Sequence, residues 1–296
     1  MQILQEAVAK YGPLCVGLDT DPSYIPPSLL KQYSSPAAAV LAYNKEIISR
    51  VKSLSSASCF KIQIAYYEAM GLEGMKVYCQ TLQEVKKAGF IAISDIKRGD
   101  IAATASAYAK AHFSGDFESD IITVNPYMGF DTLQAFTKWC KDEGKGLFVL
   151  LRTSNPGMTD LEGQPLSSGG LLLDKVGQEL LRLNKEFLAD FEDQTCSPVG
   201  AVVGCTQEDN AAALREAYPD IFFLIPGYGA QGGGAKLAKT LLSHAGGTVN
   251  SSRGILCAWK KSESCIEKEK NNSLTMADLA DAAGQAALES KRDLTQ

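Results

Sequence analysis

An aspartate and a lysine two residues apart, Asp95 and Lys97, stand directly after the apolar run 90–94 (FIAIS). Side chains in an extended strand alternate between its faces, so residues two apart share one. Ile93, Asp95 and Lys97 are therefore expected on one face, with a carboxylate beside an ammonium. A lone Asp-x-Lys reads as a structural salt bridge, and the company it keeps argues for more. Lys61 lies inside the run 59–63 (CFKIQ), and Asp19 follows the run 14–18 (LCVGL). Charges of alternating sign gathered in a confined space shift one another's proton affinities and can stabilise charge that appears during a reaction.

Two further runs end in polar clusters, Arg152-Thr153-Ser154-Asn155-Pro156 and Asn250-Ser251-Ser252-Arg253-Gly254. A glycine-rich stretch, Pro226-Gly227-Tyr228-Gly229-Ala230-Gln231-Gly232-Gly233-Gly234, spells G-x-G-x-x-G. A dinucleotide fold requires an acidic residue about 20 positions further on, closing the next strand. That region instead reads GTVNSS over 247–252. The stretch reads better as a mobile loop that grips phosphate together with Arg253.

The elements that must position these groups are legible as eight short apolar or β-branched runs, at 14–18, 59–63, 90–94, 120–124, 146–151, 199–203, 221–225 and 247–251. Between them lie helical spacings such as Val40, Tyr43, Ile47 and Val51, or Leu173, Val176, Leu180, Leu183 and Phe187. Eight strands alternating with helices is the count that closes a parallel sheet. A single (β/α)8 barrel over residues 1–296 is expected, with its active site at the strand ends. Residues 153–169 read as an insertion after the fifth strand, and 260–272 (KKSESCIEKEKNN) as a solvated loop. Thr275 and Asp278 have capping-box spacing before an Ala-rich helix near 275–292, expected to dock on the outside of the barrel.

Composition narrows the partners. Of 296 residues, 45% are hydrophobic, which excludes a disordered chain. Twenty-nine basic against 34 acidic residues give a net charge of −5, and no basic stretch follows a phosphate backbone, so no nucleic-acid partner is expected. No apolar run approaches the roughly 18 residues of a membrane helix, and the N-terminus lacks a signal-peptide layout. A soluble cytoplasmic protein is expected. The eight cysteines are scattered without a C-x-x-C pair and read as free thiols. The two histidines, His112 and His244, read as helix-surface residues, and no metal site is expected.

The run D-x-K-R-x-D-I at 95–101, the loop P-G-x-G-A-Q-G-G and the late S-R-G together resemble the orotidine 5′-phosphate decarboxylase family, across nearly the whole barrel. The strings Phe60-Lys61-Ile62-Gln63, Thr123-Val124-Asn125-Pro126-Tyr127-Met128-Gly129, Arg152-Thr153-Ser154-Asn155-Pro156 and Val202-Val203-Gly204-Cys205-Thr206 resemble its longer bacterial branch. The resemblance implies a cofactor-free homodimer that converts orotidine 5′-monophosphate to uridine 5′-monophosphate and carbon dioxide. It places the family's alternating array on Lys61, Asp95, Lys97 and Asp100. It implies that Asp100, Ile101 and Thr104 act in the neighbouring subunit's site. Asp19, Lys61, Asp100 and Thr104 would hold the ribose hydroxyls and Ser154 the pyrimidine. Gln231 would bridge base and phosphate, while Arg253 and the Ser252 backbone amide take the phosphate.

Two rivals stay in view. A magnesium-dependent sugar-phosphate decarboxylase or aldolase shares the D-x-K-x-x-D run but is similar to this chain only in part: it uses an acid at the end of strand two, where Lys61 stands here. A non-catalytic nucleotide-binding barrel would have no use for the complete array.

Overall fold

The eight runs form eight parallel strands: β1 Leu14–Gly17, β2 Cys59–Gln63, β3 Ile91–Arg98, β4 Ile121–Val124, β5 Gly146–Arg152, β6 Val199–Val203, β7 Phe223–Ile225 and β8 Gly247–Ser251. They pair in sequence order, and β8 returns to β1 to close a barrel. The structure is a computed structural model that describes residues 1–191, 196–207, 210–229 and 232–296.

Among the described residues, ten principal helices surround or cap the strands. They are α1 Gln2–Tyr11, α2 Pro36–Leu54, α3 Gly71–Lys87, α4 Ala102–Phe113, α5 Gln134–Glu143, α6 Leu172–Asp190, α7 Ala211–Ala217, α8 Ala235–Leu241, α9 Glu263–Lys270 and α10 Met276–Thr295. The stripe Val40, Tyr43, Ile47 and Val51 is fully buried on α2, and Leu173, Leu180 and Phe187 are buried on α6. These helices cover the outer face of the sheet. Inside the barrel a second cluster of Cys15, Cys59, Ile93, Ile121 and Phe148 fills the lower end, where Met1 and, from α1, Leu4 close it. Burying apolar side chains on both faces explains why the strands read as continuous apolar runs.

Four features differ from, or refine, the sequence reading. First, β3 runs to Arg98 instead of stopping at residue 94, with an irregularity on the way. Ser94 pairs with Ile122 and Arg98 with Val124, so β3 spends four residues where β4 spends two.

Second, the charged 260–272 segment is not a solvated loop, since it contains α9. Ser262 caps it by accepting from the Cys265 N–H, Cys265 is buried, and Lys268 pairs with Asp278 of α10 at 2.5 Å. Its one buried side chain, Cys265, lies against α10, where its thiol meets the Asp278 carbonyl, and that packing is what holds so charged a helix. Third, His112 is not a surface residue. The turn Gly115–Phe117 folds back and stacks Phe117 on its ring, leaving it 3% exposed. His244 does lie at the surface, 3.0 Å from Glu216.

Fourth, α10 extends to Thr295, and its capping box forms as the spacing suggests. Thr275 accepts from the Asp278 N–H, and Asp278 accepts from the Thr275 N–H. Among the described residues, no helix is long and apolar enough to cross a membrane. All eight cysteines are free.

Candidate active site

Strand alternation builds the site. On six of the strands, two positions beyond a residue buried low in the barrel stands one that lines a cavity of about 460 Å³ at the C-terminal strand ends. Lys61 follows Cys59, Asp95 follows Ile93, Thr123 follows Ile121 and Leu150 follows Phe148. Leu224 and Asn250 stand in the same relation to Phe222 and Thr248. The apolar members form the floor and the polar members converge.

Asp95 is the hub. Its Oδ2 accepts from Lys61 Nζ and Gln63 Nε2, both at 2.9 Å, and its Oδ1 accepts from Lys97 Nζ at 2.5 Å and Thr123 Oγ1 at 2.9 Å. Lys61 donates a further bond to Asp19 Oδ1 at 3.0 Å. The result is an unbroken alternation, Asp19–Lys61–Asp95–Lys97. Burial alone would discourage the Asp95 carboxylate from ionising, but the Lys61 and Lys97 ammoniums outweigh it and hold its pKa below the usual carboxylate range. Burial likewise opposes the charge on Lys61, and Asp19 and Asp95 outweigh it, holding its pKa above the ordinary lysine value. The Lys61 and Asp95 side chains are 5% and 9% exposed, whereas that of Lys97 is 45% exposed. Of the three, Lys97 is the one that faces open cavity.

Lys97 does reach Asp95, but simple alternation is not what brings it there. Its φ is +45°, a left-handed conformation that strains a residue carrying a side chain. The Thr123 hydroxyl oxygen accepts from the N–H groups of Ile96 and Lys97 at 3.0 and 2.9 Å and so ties down the irregular stretch of β3. Thr123 and Gln63 were not among the expected site residues. The period that selects Asp95 after Ile93 also selects Thr123 after Ile121 and Gln63 after Lys61, and that signal could have found both.

Ser252 and Arg253 line the cavity from the end of β8, with Arg253 exposed. Asn250 Nδ2 donates to Ser252 Oγ at 3.0 Å. A Cβ at position 17 would overlap that hydroxyl, so glycine at the end of β1 makes room for this corner. Ser154 also lines the cavity, and its carbonyl accepts from Thr206 Oγ1 at 2.7 Å. The 153–169 insertion is tied back to its own strand: Glu162 accepts from the Thr153 N–H at 2.8 Å and from its hydroxyl at 2.7 Å.

The cavity thus gathers Asp19, Lys61, Asp95, Lys97, Ser154, Ser252 and Arg253. It does not include Asp100, Ile101 or Thr104, which stand at the loop after β3 and the first turn of α4, with Ile101 54% exposed. Gln231 lies outside the described residues. Among the described residues no group of three or more His, Cys, Asp and Glu side chains could hold a metal ion. The space between Asp19 and Asp95 is taken by the Lys61 ammonium.

Residues 12–265 match the model of the orotidine 5′-phosphate decarboxylase / HUMPS family. The chain is 52% identical over 261 residues to an orotidine 5′-phosphate decarboxylase of Clostridium botulinum (strain Langeland), covering 87% of this chain and 89% of that protein. It is 50% identical over 263 residues to one of Clostridium novyi, covering 88% and 89%. Among solved structures, the Leishmania donovani OMP decarboxylase superposes with a TM-score of 0.71 at 28% identity, covering 99% of this chain and 98% of that one.

Proposed function

The chain belongs to the orotidine 5′-phosphate decarboxylase / HUMPS family, and on that premise we propose that it is a carboxy-lyase converting orotidine 5′-monophosphate to uridine 5′-monophosphate and carbon dioxide in pyrimidine nucleotide synthesis. The observation that carries this reading is the Asp19–Lys61–Asp95–Lys97 alternation, with Lys97 alone of its two cations well exposed to the cavity.

Loss of carbon dioxide from C6 of the pyrimidine leaves an electron pair in the ring plane, where the ring π system cannot spread it. A fixed cation beside C6 answers that need, and Lys97 supplies it and then a proton to C6. Asp95 holds the ammonium in place and crowds the substrate carboxylate. Two like charges 4 Å apart repel by about 1 kcal/mol in water and about 4 kcal/mol at an effective dielectric of 20. Enzymes typically lower barriers by about 8 to 23 kcal/mol, so crowding by Asp95 is the smaller contribution. Preorganised stabilisation of the carbanion by Lys97 is the larger one.

Asp19 and Lys61, with Asp100 and Thr104, hold the ribose hydroxyls, Ser154 contacts the pyrimidine, Gln231 bridges base and phosphate, and Arg253 and the Ser252 amide take the phosphate. Gripping the phosphate far from the breaking bond drives closure of the glycine-rich loop and excludes water, which strengthens the charges around C6. The active form is a cytoplasmic homodimer in which Asp100, Ile101 and Thr104 complete the cavity of the second subunit. Their position outside the cavity of their own chain supports this arrangement.

The test is direct. Orotidine 5′-monophosphate added to purified protein in EDTA should lose its ultraviolet absorbance as product forms, and an unchanged absorbance at micromolar enzyme would overturn the reading.

A further inference from the structure

Tyr228 belongs to the glycine-rich stretch after β7, and it faces two spaces at once. With Ser252 and Arg253 it lines the catalytic cavity, and with Gly254 it lines a groove formed against α9 and α10. Its hydroxyl donates to Asp293 Oδ2 at 2.5 Å, in the last turn of α10.

The two ends of this hydrogen bond belong to separately anchored bodies. On the loop side, the Gly229 N–H donates to the Gly233 carbonyl at 2.9 Å and the Gly233 N–H to the Gly227 carbonyl at 3.0 Å, so the base of the stretch closes on itself around Tyr228. Gly233 sits so close to Cys205 that no side chain fits there. On the helix side, α10 is fixed by its capping box, by the Arg50–Asp281 ion pair and by Gly284 packed on the Arg50 stem.

We infer that Tyr228 and Asp293 are a positioning pair: the last turn of the C-terminal helix sets the Tyr228 ring, and through it the cavity wall beside Arg253 that receives the substrate phosphate. The inference rests on the reading of Arg253 as the phosphate site. Neither residue takes part in the bond-breaking step. The pair acts on affinity for the phosphate-bearing ligand.

The experiment compares wild type with Y228F, D293A, D293N and the Y228F/D293A double variant. Each is assayed with orotidine 5′-monophosphate and with the phosphate-free nucleoside, and each is titrated with uridine 5′-monophosphate. Y228F and D293A should each raise KM for the nucleotide, and Kd for the product, about three- to tenfold, with Tm unchanged. D293N keeps an acceptor oxygen and should recover most of the loss. The double variant should be no worse than either single one, and the nucleoside kcat/KM should not move. Unchanged nucleotide KM and product Kd in both single variants overturn the pair, as do losses that multiply in the double variant or fall equally on the nucleoside. Because the titration reads affinity without turnover, an inert wild type would refute the proposed activity while the pair itself is still decided.

Discussion

Thr123 donates its hydroxyl to Asp95 Oδ1 at 2.9 Å, and the same oxygen accepts the backbone N–H groups of Ile96 and Lys97. One side chain on β4 therefore fixes both the carboxylate at the centre of the array and the irregular backbone from which Lys97 projects. Hydrogen bonds to charged groups are worth about 1.5 to 3 kcal/mol. Thr123→Val, which keeps the shape and removes the hydroxyl, should lower kcat about 10- to 100-fold, and Thr123→Ser should restore most of it. Steady-state kinetics of the two variants check this.

Lys97, near the end of β3, lines the cavity, and Asp100, in the loop that follows, does not. If each site draws on both subunits, Lys97→Ala and Asp100→Ala should each be nearly inactive, and mixing them under conditions of subunit exchange should restore a fraction of the activity. Absence of recovery after exchange is confirmed by mass would favour self-contained sites.

Arg253 is exposed and lines the same cavity as the Lys97–Asp95 pair. If Arg253 takes the phosphate as proposed, and binding energy there is spent on the chemical step, Arg253→Ala should lower kcat/KM by about 10²-fold or more while leaving the circular dichroism spectrum and Tm unchanged. Near-normal kinetics would separate phosphate binding from catalysis.

Lys61 bridges Asp19 and Asp95 with its side chain only 5% exposed. Replacing it with methionine leaves two neighbouring carboxylates without their shared cation, and removing one partner of a buried pair costs about 3 to 5 kcal/mol. Lys61→Met should shift the urea midpoint markedly downward at pH 7.

His112 is buried against Phe117, and that burial, with a smaller contribution from the Arg98 charge, lowers its pKa to about 4. An unfolded histidine titrates near 6.5, so between about pH 6.5 and 4 the unfolded chain binds a proton that the folded chain refuses. Stability from this residue is therefore full above about pH 6.5 and falls as the pH drops, by up to about 3 kcal/mol. Urea unfolding of wild type and His112→Gln at pH 7 and pH 5 should show the larger pH-dependent loss in wild type. Equal losses would assign the slope to other groups.

Much of this was legible in the chain itself. The eight apolar runs fall on the eight strands, the helical stripes on α2 and α6 are buried, and Thr275 with Asp278 caps the last helix. These are local regularities, a period of two, a period of 3.6 and a cap, and they are written in neighbouring residues. That Asp95, Lys97, Lys61 and Asp19 would meet followed from placing each at a strand end of one barrel.

What only the tertiary structure decided depends on partners distant in sequence. Lys97 adopts a positive φ because Thr123, 26 residues away, holds its N–H, and Gln63 completes the Asp95 hub from 32 residues before it. The charged segment becomes α9 because Cys265 and Lys268 find α10, and His112 is buried because the following turn folds over it. Local pattern dictates which face a residue presents. What waits on that face, and whether it compensates for strain, burial or an unfavourable composition, is settled only when strands and helices far apart in the chain are packed together.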